Sequence, residues 1–576
     1  MGKINASHSN YCYDSVLMRS DDKYLRSCSK VDPIDEPYDD DDDDDEDEDD
    51  ERPNETLKVP DRIKWRAEKL DNVRSIASGS SDDEQETRTI RHDILERIDE
   101  NRLVYRAEGN ANIVLSVSDN KHVLRMRKSN VENREGKGDT NVDLRRFVKY
   151  SEVIASQFSA CYVPAPKLAH LNTYNLQMFN ERLRCFRPAM RLGKEIRALD
   201  GILYPDVAFL PKWLYPARVR DFSQDPKISS TPPTHYQTYC VEIKPKQGWL
   251  AYEFCDNIPL PELTNGGDLR KCRYCLHQYL KLQKKSIAKI SKYCPLDLYS
   301  GKPVRVLQAV KGLIGAPQNN FKILKNGKVV YDDKREKSMF NRILREMFPR
   351  DGRTKDERST IFINLIKEIL LKDFTTNDEH CDRKLLNIKK ERKKKDKNQL
   401  HERACSSANQ QFLPKSCALR QILDVQLLVK SSISTIDPSL LAKSRTDPYR
   451  YIDDMYEKFI NYKEDAVYDV RNSTTWPKEP FSTEYLSEEE KYQLGATALD
   501  CSIMITFRRL YGDRAEENSL NETARNHIVS IEGMKFLVNV TITDLDPKSH
   551  KHYAKYVEQL AASAVAYREF TSKLRR

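Results

Sequence analysis

The chain has 576 residues, a mass of 67.1 kDa, 39% hydrophobic residues and a mean hydropathy of −0.73. Such a length accommodates two or more domains and a sizeable core, while the low hydropathy excludes a chain that is folded from end to end. The net charge of +8 conceals an unbroken acidic run, Asp39 to Glu51; without those thirteen residues the balance is +21, which suits a polyanionic partner: nucleic acid, anionic lipid or a phosphorylated small molecule. The 13 cysteines follow no framework spacing and read as reduced thiols. Met1–Tyr11 is polar, and no apolar run approaches the ~20 residues that span a bilayer. A soluble, non-secreted protein without membrane insertion is expected.

Residues 1 to about 95 hold few apolar clusters, the acidic run and the Ser/Asp/Glu-rich stretch Ser78–Glu86, and read as disordered. The acidic run binds a basic partner, shields the chain's own basic surface, or is a solvating tail. Order begins near Leu103. Leu103–Tyr105, the small residues Gly109-Asn110-Ala111-Asn112, Ile113–Val117 and Val123–Lys128 predict strand, turn, strand, turn, strand. Such a hairpin can lay backbone N–H groups over nucleotide phosphates, with Arg125 or Arg127 as a cation on the third strand. A plain β-meander has the same pattern. Asp143–Gln157 predicts an amphipathic helix. Arg182, Arg184, Arg187 and Arg191 cluster around Phe186 and Pro188. Leu203–Phe209 is a short apolar connector, and residues 222–235 read as a surface loop.

Cys240–Lys246 predicts a strand with Glu242, Lys244 and Lys246 on one face and Val241, Ile243 and Pro245 on the other. Pro245 puts the strand at an edge or ends its pairing. Two lysines about 7 Å apart on one face repel unless an anion lies over them; a solvated charged edge looks the same. Arg270–Lys284 predicts a helix on which Arg273, His277 and Lys281 form one basic stripe, again suited to an anion or left as an exposed face. Cys272 and Cys275 make a Cys-x-x-Cys near His277, but no partner pair stands at zinc spacing, so buried free thiols are expected. Cys294–Gly301 predicts a turn and 302–314 a helix. The loop Pro317-Gln318-Asn319-Asn320 offers amides to a hydroxyl- or phosphate-rich ligand.

Residues 372–410, centred on Lys389–Lys395, predict a basic disordered insertion: a nuclear-import signal, a nucleic-acid patch or a solvated linker. Ala418–Val429 predicts a helix, residues 437–485 short helices and Pro-rich turns, and 550–573 a closing helix. Thr497–Phe507 places Asp500 at the mouth of one apolar strand; Phe536–Lys548 places Asp544 and Asp546 at the end of another. With that arrangement one carboxylate can accept the proton of an attacking hydroxyl while the other holds magnesium on ATP phosphates. Two strand-end caps would look alike.

Seven stretches, in order, resemble the inositol-pentakisphosphate 2-kinase family. They are Gly109-Asn110-Ala111-Asn112 with Val123-Leu124-Arg125; Glu242-Ile243-Lys244-Pro245-Lys246; Arg273-x-x-x-His277-Gln278-x-x-Lys281; Pro295-Leu296-Asp297-Leu298-x-Ser300-Gly301; Pro317-Gln318-Asn319-Asn320; Asp500-Cys501-Ser502-Ile503-Met504-Ile505; and Asp544-Leu545-x-x-Lys548. They extend over about residues 103–560, less the insertions. The resemblance implies transfer of the ATP γ-phosphate to the axial 2-hydroxyl of inositol 1,3,4,5,6-pentakisphosphate, giving inositol hexakisphosphate (phytate). By the same resemblance Lys244, Lys246, Arg273, His277, Lys281, Asn319 and Lys548 grip substrate phosphates, with Arg187 and Tyr556 as further candidates. Asp500 is the implied base, Lys244 touches the transferred phosphate, and Asp544 holds Mg2+. Gly109, Asn110, Ala111, Asn112, Arg125 and Asn320 hold ATP, and Glu242 orients the neighbouring cations. Plant members carry a zinc site in the C-terminal lobe; no matching Cys-x-x-Cys with flanking histidines occurs here, so no zinc is expected.

The implied fold is α+β and two-lobed, with ATP between an N-terminal lobe and a larger C-terminal lobe. Residues 1–95 form the acidic extension, 96–215 the N-terminal lobe and 216–371 the first, inositide-binding part of the C-terminal lobe. Residues 372–410 are the basic insertion, and 411–576 the second part, with both aspartates. A monomer in cytoplasm and nucleus is expected. A pentakisphosphate carries roughly −8 to −10 charge, by extension from protein phosphates, and needs many converging cations. The competing reading is a nucleic-acid-binding protein using the same basic surfaces, although Asp500 and Asp544 would repel a phosphate backbone in the absence of metal. The chain lacks the His-Arg-Asp and Asp-Phe-Gly of protein kinases.

Overall fold

The structure is a computed structural model that describes residues 96–109, 111–119, 121–130, 144–215, 237–250, 271–348, 352–375, 413–433, 435–436, 447–465, 481–511 and 517–575. The acidic extension, the 222–235 loop and nearly all of the basic insertion lie outside the described residues. The rest is a mixed α+β structure built on two sheets.

The first sheet comprises β1 (Glu96–Asp99), β2 (Leu103–Glu108), β3 (Asn112–Val117), β4 (His122–Asn130), β5 (Lys167–Asn172), β6 (Lys194–Ile196) and β7 (Asp200–Pro205). Its order is β1-β5-β7-β4-β3-β2, with β6 also pairing β4. The predicted strand–turn–strand–turn–strand is present as β2–β3–β4. Period-two alternation buries Ile113, Leu115 and Val117 of β3 and Leu124 and Met126 of β4 on one face. Lys128 continues that inward-facing register and is buried too, which requires an anionic partner.

The second sheet comprises β8 (Tyr239–Ile243), β9 (Phe321–Lys325), β10 (Lys328–Tyr331), β11 (Ser502–Leu510), β12 (Ile528–Ile531) and β13 (Met534–Thr543), in the order β10-β9-β8-β11-β13-β12. The helices are α1 (Leu144–Ala155), α2 (Leu176–Arg184), α3 (Arg273–Gln283), α4 (Pro303–Gly315), α5 (Lys337–Met347), α6 (Lys355–Leu371), α7 (Ala418–Ser432), α8 (Tyr451–Asp465), α9 (Glu488–Ala498) and α10 (His552–Arg575), besides single turns. The main core joins this sheet to α4–α9, and α1 contributes Tyr150, Val153 and Ile154 to it. A smaller separate core lies under the first sheet. Gly495 lets α9 lie directly on α7: a Cβ there would meet Val429 N at 2.8 Å. Capping boxes open α6 (Thr354 with Glu357) and α9 (Ser487 with Glu490).

Two sequence expectations are corrected and one alternative is decided. Of the two placements that Pro245 allowed, the end of pairing holds and the edge does not: β8 lies between β9 and β11, with Val241 and Ile243 fully buried. It ends at Ile243, so Lys244, Pro245 and Lys246 follow the strand rather than alternate along it; the proline without an N–H closes the ladder. Residues 437–485 include the 15-residue helix α8 rather than only short pieces.

Candidate active site

The ends of β8, β11 and β13 meet. Antiparallel register sets Ser502 opposite Thr543 and Ile503 opposite Ile243. Asp500, Asp544 and the Lys244–Lys246 turn therefore emerge at one end of the sheet. Lys246 Nζ donates to Asp500 Oδ1 at 2.8 Å. Lys244 and Lys548 add their charge around the same carboxylate. Desolvation in this recess pushes the Asp500 carboxyl up, but Lys246, Lys548 and Lys244 outweigh it and hold it well below the usual carboxylate range. Half of the Asp500 side chain remains exposed, so a ligand can reach it.

Ser502, the first residue of β11, links two more carboxylates. Its Oγ donates to Asp544 Oδ2 at 2.7 Å and lies 3.3 Å from Glu242 Oε1. Lys322 Nζ approaches Glu242 Oε2 at 3.8 Å. Both Lys246 (φ 56°) and Asp544 (φ 59°) adopt the left-handed backbone region. Non-glycine residues hold that conformation only where the surroundings over-determine it, a feature that clusters at functional sites. Asp544 and the neighbouring Asp546 present hard oxygen donors, the chemistry that suits magnesium.

The amide loop joins this group through the backbone, because Lys244 N–H donates to Asn320 O at 3.0 Å. Asn320 is buried; its Nδ2 donates to Tyr274 OH at 3.2 Å while its Oδ1 has no partner among the described residues. Asn319 lies in the same single turn, Gln318–Asn320. The Arg273 guanidinium stacks 4.6 Å from the Tyr556 ring centroid and hydrogen-bonds Gln559, leaving its buried Nε without an acceptor among the described residues. Tyr556 is itself buried and donates to Gln247 Oε1 at 2.8 Å, directly after Lys246. It thus backs Arg273 rather than facing solvent. His277 continues along α3, with Nδ1 3.1 Å from Ser563 Oγ of α10. The predicted stripe therefore lies against α10. Arg273 is tied to the Lys246 turn through Tyr556 and Gln247, whereas His277 is held one turn further along α10, with Lys281 a turn beyond it on α3.

The glycine turn sits between β2 and β3. Gly109 N–H donates to Asn112 O at 3.0 Å, and Lys128 N–H donates to Ala111 O at 2.9 Å; Asn110 lies outside the described residues. Beneath the turn, Glu108 is gripped by Lys128 and by Arg187, whose Nε and Nη2 each donate at 2.9 Å. The three side chains are 0–1% exposed. Arg187 also donates to Arg191 O and Lys194 O. Arg187, expected at the substrate site, thus has its guanidinium held by Glu108 and two backbone carbonyls within the N-terminal sheet region, apart from the lysine–aspartate group. Arg125 of β4 pairs with Asp546 through its two terminal guanidinium nitrogens, Nη1 and Nη2, joining the first sheet to the segment after β13. The connector after β7 also reaches the second sheet, where Ala208 packs with Cys240 and Leu324.

Sequence reasoning gave no role to Glu108, Lys128 or Ser502, and set Asp546 at a strand end without its Arg125 partner. The inward register of Lys128 in β4 was the available signal, with Glu108 beside the turn as its nearest acid. It also missed a third thiol: Cys272, Cys275 and Cys294 bring their sulfurs within 4.8 Å of one another, with Cys272 Sγ 3.8 Å from Cys294 Sγ. Hydrogen bonds from Cys272 and Cys275 pull the Cys294 thiol down, whereas burial pushes that of Cys272 up. Three thiols are one ligand fewer than the four that a closed structural zinc site uses.

Comparison with known proteins gives a match to the family model described as inositol-pentakisphosphate 2-kinase over residues 105–561. An "Inositol-pentakisphosphate 2-kinase" of Danio rerio is 28% identical over 481 residues, covering 79% of this chain and 91% of that protein. A protein of the same name from Drosophila melanogaster is 27% identical over 354 residues, 49% of this chain and 55% of that protein. One from Arabidopsis thaliana is 40% identical over 93 residues, 16% of this chain and 19% of that protein.

Proposed function

This chain belongs to the inositol-pentakisphosphate 2-kinase family, a family of phosphotransferases, and from that premise we propose that it phosphorylates the 2-hydroxyl of inositol 1,3,4,5,6-pentakisphosphate with ATP to give the hexakisphosphate. The observation that carries the reading is the grouping of Lys244, Lys246 and Lys548 around Asp500, with Asp544 at the same end of the sheet. A polyanionic substrate needs converging cations, and a hydroxyl acceptor needs a base set among them.

In this reading Asp500 accepts the 2-hydroxyl proton. Lys244, Lys246, Lys548 and Arg273 bind substrate phosphates, with Asn319, His277 and Lys281 extending the grip. Lys246 has a second effect. While paired with Asp500 it holds the carboxylate in a weakly basic state; a substrate phosphate that draws Lys246 away strengthens the base as the acceptor arrives. Asp544, anchored by Ser502, would hold magnesium, with Asp546 adjacent; when bound there it would supply positive charge to the ATP phosphates. The Gly109–Asn112 turn and Arg125 hold those phosphates, and Asn320 lies near them. The two sheets act as two lobes with ATP between them, and the Arg125–Asp546 pair ties one to the other. The acidic carboxylates among the cations disfavour a nucleic-acid backbone as ligand.

The test is incubation of the folded chain with ATP, magnesium and the pentakisphosphate, followed by separation of inositol phosphates. Hexakisphosphate is expected, and its absence sinks the assignment. Asp500→Asn is expected to lower kcat by about 10²- to 10⁴-fold while calorimetry still detects substrate binding; normal turnover removes Asp500 from its role.

A further inference from the structure

Gln426 is a polar residue in an apolar setting. It is fully buried in α7 (0% exposed), among Ile422, Leu423, Val425 and Val429. An amide there is tolerated only when its hydrogen bonds are made. All but one of them are made to the two segments that carry the Lys246–Asp500 pair. Gln426 Nε2 donates to Lys246 O at 3.0 Å and to Ala498 O at 2.8 Å, and Gly248 N–H donates to Gln426 Oε1 at 2.8 Å. Tyr299 OH lies 3.3 Å from the same nitrogen. Gly248 offers a donor, whereas the Lys246 and Ala498 carbonyls offer acceptors, so the amide seats in one orientation.

The consequences fall on both partners. Lys246 sits at φ 56°, a conformation that relaxes unless its neighbours hold it. Gln426 closes both sides of that turn, taking the carbonyl of Lys246 and the N–H of Gly248. The turn has little room to shift elsewhere, since a Cβ on Gly248 would meet the Tyr299 ring at 2.4 Å. On the other side, Ala498 is the last residue of α9, two positions before Asp500; its carbonyl is among those a helix terminus leaves without an intrahelical donor. Gly495, at the close crossing of α9 over α7, brings that terminus to Gln426.

We propose that Gln426 is a positioning residue for phosphoryl transfer: one buried amide ties the Lys246 turn to the Asp500 segment and sets the cation against the base. The catalytic half of this inference rests on the kinase reading above; the structural half does not. Gln426 touches neither substrate nor reacting atom and acts through Lys246 and Asp500.

The experiment uses the full chain and Gln426→Met, which keeps the volume and removes the hydrogen bonds. The first readout is labelling of lysines by an amine-reactive ester, followed by peptide mass spectrometry. Labelling of Lys246 is expected to rise several-fold in the variant while the lysines of α5 and α6 keep their wild-type values. Unchanged Lys246 labelling overturns the proposal whatever the activity. The second readout is kinetic: kcat falls roughly 10- to 100-fold, as for a misplaced reacting group, with the KM for ATP unchanged. In a Lys246→Met background the same change is expected to add less than about twofold, because coupled residues are not additive; full multiplicative loss means that Gln426 acts elsewhere and overturns the proposal. Should Gln426→Met not fold, Gln426→Glu serves. Its protonated carboxyl donates to one carbonyl, and its ionised form faces two acceptors, so its kcat relative to wild type is expected to fall as pH rises; a flat ratio overturns the proposal. A wild-type chain that makes no hexakisphosphate counts against the kinase reading, and the labelling still decides whether Gln426 holds the pair.

Discussion

Glu108→Gln is expected to unfasten the first sheet and loosen its glycine turn. The substitution keeps the shape of the side chain and removes one charge. Lys128 and Arg187, each 1% exposed, are then left as buried cations without their anion. Losing one partner of a buried ion pair costs about 3–5 kcal/mol, since the remaining charge is desolvated and uncompensated. At about 2–4 °C per kcal/mol for a cooperative unit of 150–250 residues, the melting temperature should fall by about 6–20 °C. Urea and thermal melts followed by circular dichroism measure this, and a loss below about 1 kcal/mol, the range of exposed pairs, would refute the reasoning. The sign with pH is defined as well. Burial pushes the Glu108 carboxyl up, but hydrogen bonds from Arg187 and Lys128 outweigh it, so the folded pKa lies below the ordinary value. Its stabilisation is therefore present above the unfolded carboxylate range and lost as pH falls through the folded value. The gap between wild type and variant should narrow in acid. Because Lys128 Nζ also donates to Gly109 O at 2.7 Å, the KM for ATP should rise with kcat little changed.

Lys246→Met should move the acid limb of the kcat/KM–pH profile upward, since it removes the nearest positive charge holding Asp500 ionised; an unmoved limb would show that Asp500 is not the titrating base. Arg125→Met should raise the KM for ATP yet change stability by no more than about 1 kcal/mol, because the side chains of the Arg125–Asp546 pair are partly exposed (22% and 31%); an equal effect on melting and on nucleotide binding would argue for a structural role. Native-state alkylation with iodoacetamide at neutral pH should modify Cys294 before Cys272, as hydrogen bonding stabilises the first thiolate and burial disfavours the second; the reverse order, read by peptide mass spectrometry, contradicts that assignment.

What the residues alone determined was local. The apolar periods placed β2–β3–β4, β11, β13 and α3, and the positions of Asp500 and Asp544 at strand ends followed from where those apolar runs stop. The Glu-Ile-Lys-Pro-Lys and Asp-Cys-Ser-Ile-Met-Ile stretches pointed to the family. Three-dimensional pairing decided the rest. Period-two reading carried β8 through Lys246, whereas its ladder ends at Ile243 and a left-handed Lys246 turns the ammonium onto Asp500; a backbone reversal leaves no trace in side-chain periodicity. Arg187 read as one of four clustered arginines, yet a buried Glu108, 79 residues away, takes its guanidinium. Cys294 joins Cys272 across 22 residues because the chain after α3 doubles back. Gln426 drew no reading of its own within the predicted Ala418–Val429 helix; its partners lie 180 residues before it and 72 after it. Hydrogen bonds and ion pairs over such separations depend on which elements pack together, and no local pattern encodes that.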